Sequence, residues 1–149
     1  MNDILIILRS LINDLDGVTY SDEVLLRLAC VAAIIVTKEI YFDITYSINL
    51  STSVITPDPD QNIGLFISYK AAILLLQNEI KTYGYTNVKI VDGPSTVDMG
   101  NISKTLIENV NLLLNQYDKL KQEYMLHGSL GFAIITPTTV EYISTNNFN

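Results

Sequence analysis

A chain of 149 residues is long enough for one domain with a substantial core, and at 48% hydrophobic and 17% charged it is no disordered polypeptide. A formal net charge of −7, with nine basic residues scattered along the chain, argues against sequence-independent nucleic-acid binding, which draws on clustered Lys and Arg. One Cys excludes an intrachain disulfide framework, and so few charges leave a neutral or apolar surface that suits an oligomer.

Met1 to Arg9 imitates the apolar part of a leader, but it lacks a basic start. Asp14 and Asp16 stand where a small-residue cleavage site would sit, so the segment is read as a helix. Asp3 is placed to cap it, Ile4, Ile7, Leu8, Leu11, Ile12 and Leu15 share one stripe, and Asp16-Gly17 is the expected end. A second helix opens at Ser21, a candidate N-cap, with Asp22 and Glu23 against the positive end of the helix dipole, and runs to Ile40. Its uncharged stretch Leu28 to Val36 is too short to span a bilayer.

The period then changes. Ile44, Tyr46, Ile48 and Leu50 alternate with polar residues, which predicts a half-buried strand, and Ser51 to Thr56 continues in extended, β-favouring residues. Pro57-Asp58-Pro59-Asp60 breaks the chain, and Asp60 caps a third helix that Gly84 closes. Both the second and third helices are apolar nearly all round, which predicts burial on every face; 149 residues struggle to enclose two such helices, so part of that surface is expected to meet other copies or a partner. Asn87 to Asp98 reads as a small hairpin turning at Asp92-Gly93. A last helix from about Asn101 carries the seam Leu106, Val110, Leu113, Tyr117, Leu120 and Tyr124, with Gly128 and Gly131 as stops. Beyond it Phe132 to Pro137 and Val140 to Ile143 are apolar and strand-like, and apolar extended tails pair with something.

Chemistry is sparse. Cys30 lies in an apolar run and reads as a small buried hydrophobe, since reactive thiols need an electropositive, accessible setting. Asp14-Leu15-Asp16-Gly17 glances at a calcium loop but lacks the alternating ligands and distal Glu, so a helix end and turn explain it. Asp58 and Asp60 read as a turn and a cap, with loose cation binding as the rival. His127, the lone imidazole, suits a helix C-terminus and has no Cys or Ser relay. Nine dispersed Tyr without interleaved basic residues read as core and interface groups, not as a base-stacking platform. No catalytic residue, cofactor or metal is expected. An enzyme working through Asp58 with Asp60, or Asp92 with Asp98, is the rival that carboxylates alone allow.

The fold class expected is mainly α: a helical bundle over 1–130 with short β-hairpin elements, and an extended C-terminal arm over 131–149. The order of elements resembles the head-to-tail adaptor (connector) proteins of tailed bacteriophages, podovirus-like or crAss-like. The likeness rests on Thr19-Tyr20-Ser21-Asp22-Glu23-Val24-Leu25-Leu26, Asp43-Ile44-Thr45-Tyr46, Ile55-Thr56-Pro57-Asp58-Pro59-Asp60 and Val91-Asp92-Gly93-Pro94-Ser95, and covers roughly Asp16 to Tyr124. The first helix and the tail fall outside it.

The resemblance implies a homo-oligomeric ring, usually of twelve copies, beneath the portal protein in the virion neck, assembled in the bacterial host cytoplasm. Tail or further ring proteins would dock on it. DNA would pass through its channel without specific binding, past acidic walls that repel phosphates, and no membrane is involved. On that reading Phe132, Ile134, Ile135, Tyr142 and Ile143 of the arm form the partner interface. The alternative is a small cytoplasmic bacterial interaction or regulatory protein, dimeric through its long seam.

Overall fold

The computed structural model describes residues 1–85, 91–92, 95–96 and 99–129, with side chains over 1–82 and 104–126. The fold is mainly helical, as expected: α1 (Asn2–Leu11), α2 (Asp22–Glu39), a hairpin of β1 (Ser47–Asn49) and β2 (Val54–Thr56), α3 (Gln61–Tyr85), a second small hairpin of β3 (Val91–Asp92) and β4 (Ser95–Thr96), and α4 (Met99–Ser129). The expected arm, 131–149, lies outside the described residues.

The long helix α3 is the axis on which α1, α2 and α4 all pack. That position explains its composition. Buried residues surround it (Ile63, Phe66, Ile67, Ala71, Ala72, Ile73, Leu75, Leu76), and its ends carry the few exposed polar residues. By length and composition Gln61–Thr82 is apolar enough to cross a membrane, but here three packed helices supply the apolar surroundings such a helix needs. Asp60 Oδ1 accepts from the Ile63 N–H at 3.0 Å, as its capping role requires.

The second helix behaves differently: one chain does not enclose it on every face, in keeping with the expectation that 149 residues struggle to bury two such helices. Ser21 caps it through the Val24 N–H, and Leu25, Ala29, Cys30, Ala32, Ala33 and Val36 turn into the core. These small side chains let α2 approach α3 closely. Yet Val24, Val31 and Ile34 remain 49%, 41% and 38% exposed. The reason is positional: among the described residues, α2 has a large packing partner on one side only.

Helix α4 carries the seam read from the sequence. Val110, Leu113 and Tyr117 are buried, and Leu106, Leu120 and Tyr124 pack partly buried against the same core.

The ends of elements differ from expectation. α1 stops at Leu11, five residues early, because Asn13 turns left-handed (φ 57°); Leu15 is therefore 70% exposed instead of on the stripe. Met1, not Asp3, is the N-cap, and no side chain caps the helix. The predicted strand over 44–50 shrinks to three residues. The chain reverses after Asn49, whose Oδ1 accepts from the Ser51 and Thr52 N–H groups, and Ile48 pairs with Ile55; Ile44 and Leu50 are left exposed. Gly84 and Gly128 lie inside the last turns of α3 and α4, so neither stops its helix. A hairpin is present within the span expected, pairing Val91 with Thr96 and Asp92 with Ser95, so that Asp92 belongs to a strand and not to the turn.

Candidate interaction surface

The outer side of α2 is the most distinctive surface of the described residues. Val24, Leu28, Val31, Ile35 and Lys38 follow one another at spacings of four and three, the repeat that keeps a stripe on one side of a helix. Val24 and Val31 are exposed, Leu28 and Ile35 half-buried. Arg27 and Glu23 border the stripe and pair with each other at 2.8 Å. Lys38 makes no ion pair among the described residues. The sequence pattern marks α2 as apolar but not which of its faces is left open, because that depends on how many neighbours the fold supplies.

Three polar clusters hold the scaffold behind this surface. Arg9, on the C-terminal turn of α1, bonds Asp14 Oδ2 at 2.6 Å, Asp22 Oδ1 at 2.5 Å and the Tyr20 carbonyl at 3.0 Å. Asp14 is itself buried and accepts from the Thr19 and Tyr20 N–H groups, so the presumed helix end is a structured clasp. Ser68 Oγ lies 2.8 Å from the Gly64 carbonyl and 3.2 Å from the Ile4 carbonyl, where α1 crosses α3 at Gly64; a Cβ there would meet Ile4 at 3.4 Å.

The third cluster joins α2, α3 and α4. Lys70 Nζ donates to Glu39 Oε1 at 2.5 Å, Tyr117 Oη donates to Glu39 Oε2 at 2.7 Å, and Lys70 sits 5.1 Å from the centre of the Tyr117 ring. Burial acts to raise the Glu39 pKa, but the bonds from Lys70 and Tyr117 outweigh it and hold the carboxyl below its ordinary value. Burial, then the bond to Glu39, push the Tyr117 phenol up. Glu79 on α3, which accepts from the Tyr20 hydroxyl, is raised by burial.

The two carboxylates therefore act in opposite directions. A lowered Glu39 contributes stability at pH values above its unfolded pKa, and that contribution is lost as pH falls through its folded value. A raised Glu79 contributes stability below its unfolded pKa and loses it as pH rises through its folded value. Glu39→Gln is expected to destabilise the neutral protein by about 1–2 kcal/mol, and Glu79→Gln to stabilise it by up to about 1 kcal/mol. Urea midpoints at neutral pH and near pH 4 read both effects, and shifts of the same sign at neutral pH would contradict the two settings.

Phe132, Ile134, Ile135, Tyr142 and Ile143 lie outside the described residues, as do the side chains of Asp92, Asp98 and His127. Asp58 is exposed, 2.9 Å from the Met1 amino group, and Asp60 serves as a cap. A cleft of about 400 Å³ opens between the starts of α1 and α3, lined by Met1, Asp3, Ile4 and Ile7 and by 58–62, Gly64 and Leu65. Among the described residues no three His, Cys, Asp or Glu side chains are grouped to hold a metal ion. Cys30 is buried, and burial raises its thiol pKa.

Comparison with known proteins returns no matching family model, no similar curated protein and no similar solved structure.

Proposed function

We propose that this chain is a structural protein of a tailed-bacteriophage virion, a head-to-tail adaptor that closes into a ring below the portal and links capsid to tail. The observation that carries the reading is the open apolar stripe on α2, a surface that contact with another chain would take out of water. The order of elements supports it, since helix, strands, Pro/Asp turn, apolar helix, small hairpin and long last helix run as in the adaptors this sequence resembles. Its net charge of −7 suits the wall of a channel through which DNA slides. In this proposal Phe132, Ile134, Ile135, Tyr142 and Ile143 grip neighbouring components.

The second reading is a dimeric cytoplasmic regulatory protein paired through the long seam of α4. That seam packs into the chain's own core, and the heptad-like spacing of the α2 stripe is what keeps a dimeric regulator as the second reading. Native mass spectrometry of the chain, alone and mixed with its portal, separates the two. The adaptor reading expects the portal to convert the free protein into a ring of about a dozen copies. A chain whose oligomeric state is indifferent to the portal, and which is absent from virions, overturns it.

A further inference from the structure

We propose that two copies of this chain pair through the outer stripe of α2, antiparallel and two-fold, with Val31 at the axis. The inference goes beyond the adaptor reading and does not need it.

The stripe itself is the first argument. Val24, Leu28, Val31 and Ile35 present a knob every three or four residues on a helix of 18 residues, about 27 Å long. Helices that meet through such a seam interdigitate along their length, in either a parallel or an antiparallel sense.

Charge decides the direction. The N-terminal turn of α2 carries Asp22 and Glu23, and its last turn carries Lys38. A parallel pair would set Glu23 beside its own copy and Lys38 beside its own copy. An antiparallel pair with Val31 at the axis sets Val24 against Lys38, with Glu23 one residue away. The unpaired ammonium thus gains a carboxylate, and its aliphatic stem covers the exposed valine. The two helix dipoles also run antiparallel, the positive end of each beside the negative end of the other.

The flanks extend the contact. A seam this short buries little, and stable interfaces remove about 1,200 Å² or more from water. Val18, before α2, and Tyr41, after it, are 82% and 85% exposed. The antiparallel arrangement brings the Val18 end of one copy beside the Tyr41 end of its partner, at both ends of the seam.

A two-fold contact uses the same patch on both copies and closes on itself, whereas head-to-tail contacts run on into rings or filaments. If the chain is an adaptor, the pair therefore keeps free copies from polymerising before a portal supplies the template.

Disulfide trapping tests the register. In the pair, two copies of residue 31 lie side by side, while two copies of residue 24 are about 21 Å apart, far beyond disulfide reach. Mild oxidation of the purified full chain is expected to cross-link Val31→Cys efficiently and Val24→Cys alone poorly. A mixture of Val24→Cys with Lys38→Cys should cross-link well, and the wild-type chain, with Cys30 buried, is the control. Val31→Asp should weaken the dimer at least about a hundredfold in sedimentation velocity. Residue 31 already meets water, so the helical circular dichroism should be unchanged. A free chain that stays monomeric at about 100 μM overturns the proposal. So does efficient Val24→Cys self-linking, or dimerisation that Val31→Asp leaves intact. Failure of the adaptor reading shows separately, as indifference to the portal.

Discussion

Replacing Phe66 with Ala is expected to cost about 4 kcal/mol and to lower Tm by about 10 °C or more. Phe66 is 4% exposed on α3, and its ring joins three others. It lies 6.4 Å from Phe42, just beyond α2, and 5.9 Å and 5.5 Å from Tyr117 and Tyr124 of α4, the last two edge to face. Truncation removes a buried ring and also those three contacts, each worth about 0.5–1.5 kcal/mol beyond its area. Because Tyr117 and Tyr124, two of the six seam residues of α4, meet the core through this cluster, that part of the helix should loosen first, with earlier amide exchange along Tyr117 to Tyr124 than in α2. Tyr41→Ala, at an 85% exposed position, is the matched control and should move stability by less than about 0.5 kcal/mol in the monomer. A Phe66→Ala loss below about 1.5 kcal/mol would mean that α4 is held by something other than this cluster.

The same residues show what a sequence of this kind discloses. The α4 seam was legible because a helix packed along one side must repeat its apolar residues at three and four. The burial of α3 was legible because apolar residues occupy every side of it. The caps at Ser21 and Asp60 were legible because short oxygen-bearing side chains there satisfy free N–H groups. For α2 the same logic is less specific. Apolarity reports which surface would gain from burial, and the number of neighbours decides which surface is buried. Hence Val24 and Val31, part of an apolar surface that one chain is not expected to enclose in full, lie open and become the candidate interface. The clusters at Asp14 and Glu39 left no local signature. Glu39 and Tyr117 are 78 residues apart, and no periodicity relates them. Arg9 and Asp14 are close in sequence, but their pairing depends on Asn13 leaving the helix, and a left-handed Asn is not readable from apolar spacing.

Asp14→Ala is the second large effect, expected to cost about 3 kcal/mol. The carboxylate is 3% exposed and performs three tasks at once: it pairs with Arg9 at 2.6 Å, accepts from the Thr19 N–H at 2.9 Å, and accepts from the Tyr20 N–H at 3.3 Å. Removing it strands two backbone donors in the α1–α2 connection. Arg9 keeps Asp22 and the Tyr20 carbonyl, so no guanidinium is left unpaired, and the loss falls at the low end for breaking a buried ion pair. Asp14→Asn should recover only part of the loss. Its oxygen can serve Thr19, but its NH₂ then faces the Tyr20 N–H and Arg9, donor against donor. Neighbouring Asp16, which is exposed, gives the comparison: Asp16→Ala should be nearly silent in a denaturant titration. The consequence reaches the interface, because Tyr20 immediately precedes the Ser21 cap and Asp22 opens α2. If the clasp fixes where α2 begins, Asp14→Ala should also reduce Val31→Cys cross-linking under conditions where the chain is still folded. Full cross-linking in a folded Asp14→Ala chain would confine the clasp to stability alone.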